Sequence, residues 1–205
     1  MKSNDEMFEK LLTDLGGLSY IRPEQIPDIQ LYMDQVTTFM DEHLAKTKRY
    51  PEDKVLTKTM INNYAKNNLL PPPIKKKYSK EHMLMLVFIY YFKNLLSFHD
   101  IGTLFEPITS EHFSESTGLS LEDIYREVFS LEKSQMSRLK EDVENKFHLS
   151  KTVFPDTDTE DREQLQLFAF ICEMSFDVYL KKQMIENLID QFRAEKGDDG
   201  GSKKK

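Results

Sequence analysis

Between Thr57 and Tyr78 the chain gathers side chains that hydrogen-bond base edges and neutralise phosphates. Lys58, Thr59, Asn62, Asn63 and Lys66 fall on one side of a short helical repeat, while Ile61 and Tyr64 or Ala65, joined by Met60, fall on the other. Thr57 is a natural N-cap for that helix. Asn68 is able to take the left-handed conformation that ends it, and Leu69-Leu70 return the chain to the core. Pro71-Pro72-Pro73 forbids helix and forces extended backbone. Lys75, Lys76 and Lys77 then make a short basic ribbon over residues 74–78, and Ser79 opens the next helix.

A formal net charge of −7 argues, taken alone, against a nucleic-acid binder. Its distribution points the other way. Lys46 to His82 holds ten basic and three acidic residues, a local +7, which leaves −14 on the rest of the chain. One cationic face on an acidic body is the expectation.

The elements that must hold this segment are helical. Phe8, Leu11, Leu12 and Leu15 share one face of a first helix that Gly16-Gly17 ends. Ile29, Tyr32, Met33, Val36, Phe39, Met40 and Leu44 predict a second helix from about Asp28. Thr57 to Asn67 is the third. A long apolar helix runs from Ser79 to about Leu95, and a short one from Ser97 to about Phe105, before Pro107. Leu121, Ile124, Tyr125, Val128, Leu131, Leu139, Val143 and Phe147 fit one long helix. A last helix, capped by Asp158 or Thr159, runs from about Glu160 to Ala194. No strand pattern of useful length and no internal repeat is present, so the fold class is all-α.

The order of features from Val55 to Phe105 is similar to the DNA-binding region of MerR-type regulators. In that family a recognition helix precedes a Gly-Leu-Leu or Gly-Leu-Ile step, a proline-rich basic wing, and a Tyr-Ser/Thr-x-x-Asp start to the next helix. The matching residues are Leu56-Thr57, Met60-Ile61-Asn62-Asn63-Tyr64, Asn68-Leu69-Leu70-Pro71, Lys77 to His82, and Leu95 to Ile101. The layout covers about a quarter of the chain. It departs at Asn62 and Asn63, where the family has an arginine and a tyrosine, at Asn68 for glycine, and at His82 for an acid. The wing is short, and the connection from the helix ending near Leu44 is longer than the family's. The whole chain also resembles an uncharacterised bacterial family catalogued as a domain of unknown function (1836), which supplies no activity.

The MerR resemblance implies a winged helix-turn-helix with Lys58, Thr59, Asn62 and Asn63 in or beside the major groove. Lys75, Lys76 and Lys77 would straddle the backbone or reach the minor groove. Tyr64 would anchor its helix and offer its hydroxyl to a phosphate, and Thr57, Lys66 and Tyr78 complete the expected contact set. Residues 1–110 are then N-terminal helices plus the DNA-binding domain, 111–195 an acidic helical dimerisation or sensing region, and 196–205 a disordered tail.

In the last helix Leu167, Met174 and Leu188 share one heptad position, and Ile171, Val178, Ile185 and Phe192 another. Ile171, Met174, Val178, Ile185, Leu188 and Phe192 are the expected homodimer seam, as MerR-type proteins pair through C-terminal helices. Ten methionines and fourteen phenylalanines could line a small-molecule effector pocket, with core packing the plainer use.

Other chemistries find no support. His43, His82, His99, His112 and His148 make no H-x-x-x-H pair and have no cysteine partners, so they read as surface or helix-end residues and no metal is expected. Asp156, Asp158, Glu160 and Asp161 suggest a calcium loop, but Asp161 stands where glycine is needed and Leu167 where glutamate is. No G-x-x-x-x-G-K-[ST] or G-x-S-x-G occurs. No catalytic residues and no cofactor are assigned. Cys172, the single cysteine, reads as a small core residue. No 18-residue apolar run or basic-then-apolar leader is seen, so a cytoplasmic protein without membrane contact is expected. The resulting reading is a dimeric, sequence-specific DNA-binding transcriptional regulator. The alternative is a non-enzymatic adaptor that keeps a winged fold and docks an acidic protein.

Overall fold

A computed structural model describes residues 3–16, 20–114 and 118–197. Gly17 and residues 198–205, on which the first helix stop and most of the tail were placed, lie outside them. The fold is mainly helical. Its helices are α1 (Asn4–Gly16), α2 (Met33–His43), α3 (Lys58–Lys66), α4 (Lys80–Phe92), α5 (Phe98–His112), α6 (Leu121–Ser130), α7 (Glu132–Ser150) and α8 (Thr159–Glu195). Two short strands, β1 (Leu31–Tyr32) and β2 (Lys77–Tyr78), pair antiparallel, with Leu31 opposite Tyr78 and Tyr32 opposite Lys77. No helix among the described residues is long and apolar enough to cross a membrane.

The chain forms two compact units that are not sequential. Among the described residues, one comprises 20–114, 118–129 and 185–197, the other 3–16 and 130–184. The boundary expected at residue 110 falls inside α5.

The larger unit is built around α4. Met83 to Ile89 are all buried, so this helix is apolar around its whole circumference and must lie inside. Val36 and Met40 of α2, Ile61 and Tyr64 of α3, Ile101 and Phe105 of α5, Leu121 and Tyr125 of α6 and Ile189 of α8 pack around it. The Tyr125 hydroxyl donates to the Ile21 carbonyl at 2.5 Å, which ties the segment before β1 to α6. The end of α8 is fixed to α5 by Arg193, whose guanidinium reaches the Asp100 carboxylate at 3.1 Å.

The smaller unit has a much thinner core. Phe8 of α1, Val143 and Phe147 of α7 and Phe170 of α8 are its buried apolar cluster, with Leu12, Leu139 and Met174 at the edge. Phe8 and Phe147 stack at 4.0 Å, and Phe170 meets both edge-on.

Three element boundaries differ from the sequence expectation. The second helix starts at Met33, not Asp28: Leu31 and Tyr32 are drawn into a strand by their partners on β2, and Ile29 is left exposed. α5 runs through Pro107 instead of stopping before it. That proline forfeits one backbone bond, but Ile108 and Phe113 beyond it pack on the core and hold the last turns. The expected long helix over residues 121–147 is divided at Leu131, with neither glycine nor proline to announce the step.

Candidate nucleic-acid interface

The local chemistry of α3 fixes both its ends. The Thr57 hydroxyl accepts from the Met60 backbone N–H at 3.2 Å. At the other end Asn68 adopts a φ of 58°. Its N–H donates to the Ala65 carbonyl at 3.2 Å and that of Leu69 to the Tyr64 carbonyl at 2.9 Å. Those two bonds are the Schellman pair that terminates a helix, and Leu69 and Leu70 drop straight into the core.

With its ends fixed, α3 has one rotation available. Ile61 and Tyr64 are buried, and Tyr64 meets Phe98 edge-on at 5.8 Å. Lys58, Thr59, Asn62, Asn63 and Lys66 are exposed.

The ribbon after the prolines is a minimal hairpin. The Lys77 N–H donates to the Ile74 carbonyl at 3.0 Å, and the two residues between, Lys75 and Lys76, have φ of 51° and 64°. This is a type I′ turn, which prefers Asn-Gly because both central residues need positive φ. Two lysines in that conformation are strained by roughly 1–2 kcal/mol each. Both side chains project into solvent.

Helix and ribbon meet the same piece of chain. Lys77 Nζ lies 5.5 Å from the centre of the Tyr32 ring, and Lys58 pairs with Asp34, two residues further on. The strand pair β1–β2 and the Lys58–Asp34 pair thus bring the base of the lysine turn and the start of α3 to the same short segment, Tyr32–Asp34. Among the described residues the side chains of Asn62, Asn63, Lys66, Lys75 and Lys76 form no internal hydrogen bond or ion pair.

Several expected residues serve other purposes. Tyr64 and Tyr78 are interior, at 2% and 3% exposure, so neither presents its ring or hydroxyl to a ligand. Burial raises the pKa of both phenols. Thr57 is half-buried and occupied as a cap. Lys58 is exposed but engaged by Asp34, Lys48 is held by Asp41 at 2.8 Å, and Lys80 by Glu122 at 2.7 Å. The excess charge of this region is therefore narrower than its sequence count: among the described residues, Arg49, Lys54, Lys66, Lys75, Lys76 and Lys77 are its cations outside any ion pair.

His82, expected near the surface at a helix end, is at that end but sealed, with 3% exposure. Its Nδ1 accepts from the Ser79 backbone N–H at 3.0 Å and lies 2.9 Å from the Ser79 hydroxyl, so the ring proton sits on Nε2. Nε2 is buried without a well-directed partner, its nearest acceptors being the carbonyls of Pro71 and Pro72. Tyr78 and Phe113 close on the ring edge-to-face at 5.5 and 4.8 Å. Burial pushes its pKa below the ordinary 6.5. His82 thus joins the base of the lysine hairpin to the triple proline. Tyr32 and Asp34, which were not among the expected contacts, sit beside Lys77 and Lys58, and no pattern in the sequence marks them.

On α8, Ile171, Val178, Ile185 and Leu188 of the expected seam are exposed, whereas Met174 packs on the smaller core and Phe192 is half-buried beneath Lys196. Cys172 is half-buried rather than in the core. Among the described residues no cluster of three or more His, Cys, Asp or Glu is placed to hold a metal ion. The cleft beside α3, about 410 Å³, is lined by mixed charges including Asp41, Glu42, Lys54 and Lys58. Met40, Met83 and Met85 are core residues, not pocket lining.

No curated protein and no solved structure matches the chain. A family model does, and it spans β1 through α6, the whole of the interface just described. By that match over residues 21–128, the chain belongs to the family described as Domain of unknown function (DUF1836).

Proposed function

We propose that this protein is a sequence-specific, duplex-DNA-binding regulator that acts as a dimer, with β1 to α5 forming a winged helix-turn-helix. α2 is the first helix of the motif, α3 the recognition helix and the Lys75–Lys76 hairpin the wing. Asn62 and Asn63 read base edges, Thr59 and Lys66 flank them, and Lys75, Lys76 and Lys77 neutralise phosphates. The observation that carries this reading is the joint exposure of an uncommitted Asn/Lys helix face and a strained lysine turn, on elements that meet the same short segment, Tyr32–Asp34. Strained backbone persists where surrounding structure holds it for a purpose. A lysine pair in a turn that favours Asn-Gly is explained by what the charges bind.

A second reading is favoured by Asn62, which stands where the MerR-type recognition helix carries an arginine, so a main base-reading contact of that family has no counterpart here. In that reading the same surface docks an acidic protein segment without reading bases. Selection from a random-duplex pool at moderate salt separates the two. An enriched motif that disappears in Asn62→Ala/Asn63→Ala supports the regulator. Retention of no duplex above background, by a protein that stays folded, supports the adaptor.

A further inference from the structure

The smaller unit leaves more large apolar side chains in water than it buries. Its core holds four residues, whereas α8 alone exposes Phe168 (63%), Phe176 (65%) and Tyr179 (59%), with Leu165, Ile171 and Leu180 alongside. Leu165, Phe168, Cys172, Phe176 and Tyr179 recur at three- and four-residue steps, so they share one side of the helix; Phe170 and Met174, which face the core, lie on the opposite side. This stripe is not the expected heptad seam of Ile171, Val178, Ile185 and Leu188: the first two lie about a third of a turn round from it, and the last two towards the opposite side.

We infer that the Leu165–Tyr179 stripe of α8 pairs antiparallel with the same stripe of a second copy of this chain. This deepens the dimer in the preceding reading and stands whether or not the ligand is DNA. Three lines on the molecule select that occupant. The first is area. Three aromatic rings about three-fifths exposed, plus Leu165 and Leu180, offer roughly 550 Å² of apolar surface, the larger part of the ~800 Å² per partner of a stable interface before the polar neighbours are added. The second is shape. The stripe runs along about four turns of one helix, a ridge that another helix ridge matches. The third is charge. Asp161 precedes the stripe on its own side of the helix, with neighbouring Arg162 turned back onto the Thr157 carbonyl, and Lys182 follows it on the flank. Antiparallel pairing lays the acidic end of one copy along the basic end of the other; parallel pairing sets like against like. The twofold axis then passes near Cys172, with Phe168 of each copy beside Phe176 of the other.

Sedimentation of the full chain without nucleic acid, at moderate salt and tens of micromolar, tests the pairing. The expected result is a dimer for wild type. Phe168→Glu and Phe176→Glu, placed on a solvated face, keep their helical circular dichroism and weaken dimerisation by more than about 100-fold. Ile185→Glu/Leu188→Glu, exposed but turned away from the stripe, leaves it within about threefold. Mild oxidation of wild type traps a reducible covalent dimer through Cys172, which Cys172→Ser abolishes while still sedimenting as a dimer. A monomeric wild type overturns the inference. So does a dimer insensitive to Phe168→Glu and Phe176→Glu, or one that oxidation does not trap. Because no DNA is present, none of these outcomes bears on whether the α3 surface binds DNA.

Discussion

The outward faces of α3 and α8 are both uncovered, and they are opposite in chemistry. α3 shows Thr59, Asn62, Asn63 and Lys66, polar heads with hydrogen-bonding capacity to spare. α8 shows Phe168, Phe176 and Tyr179, rings that water solvates poorly. α3 stands on a deep core in which Ile61 and Tyr64 are fixed, whereas α8 in its middle stands on four buried side chains. A recognition surface needs a rigid base, because contacts to bases are lost with small misplacements. An apolar stripe needs only to be covered. The proposed polyanion site and the proposed self-association site call for these two different foundations.

The largest test of this contrast is stability. Ile61→Ala removes a fully buried side chain beneath α3 and is expected to cost about 2–5 kcal/mol in denaturant unfolding. Phe176→Ala, in a background held monomeric by Phe168→Glu, is expected to change stability by less than about 0.5 kcal/mol. Similar losses from both would erase the distinction.

The next effect sharpens the reading of the hairpin. Lys75→Asn/Lys76→Gly gives the type I′ turn its preferred residues and is expected to stabilise the fold by about 1–2 kcal/mol. It also removes two charges, so duplex affinity falls while the melting temperature rises. A mutant that binds as tightly as wild type would show that those lysines do not face the ligand.

Much of the interface was legible because its signals are local. Thr57 and Ser97 cap their helices through their hydroxyls, Asn68 takes the left-handed turn, Leu69-Leu70 return to the core, and Ser79 precedes α4 with its N–H bonded to His82. β1 was not legible. Two residues paired with partners some 46 positions away carry no periodicity of their own, and Ile29, Tyr32 and Met33 fit a helix equally well. The interior positions of Tyr64 and Tyr78 follow from the same blind spot, since burial depends on what the strand pair and α5 bring over them. On α8 the pattern shows which positions are apolar but not which are already covered, so the expected seam and the exposed stripe differ by a partial turn.

The smallest effect concerns pH. Because burial holds the His82 pKa below 6.5, the unfolded chain binds a proton there before the folded one does. Its contribution is complete above pH 6.5 and is lost as pH falls from 6.5 towards the lowered folded value. An imidazolium could no longer accept from the Ser79 N–H, and its charge would stand at the positive end of α4. His82→Gln keeps a capping partner for Ser79 without a titrating group. It is expected to flatten the decline in stability between pH 6.5 and 5, measured by urea unfolding. An unchanged slope would place that titration elsewhere.

The central claim is that the lysine hairpin and the α3 face form one polyanion-binding surface. It is tested most directly by the salt dependence of duplex binding, comparing wild type with Lys75→Ala/Lys76→Ala/Lys77→Ala. Each phosphate contact contributes about 0.9 to the slope of log K against log salt, so the variant is expected to lose roughly two to three from it. Parallel lines of equal slope for the two proteins, or no duplex binding by wild type at low salt, would contradict the account.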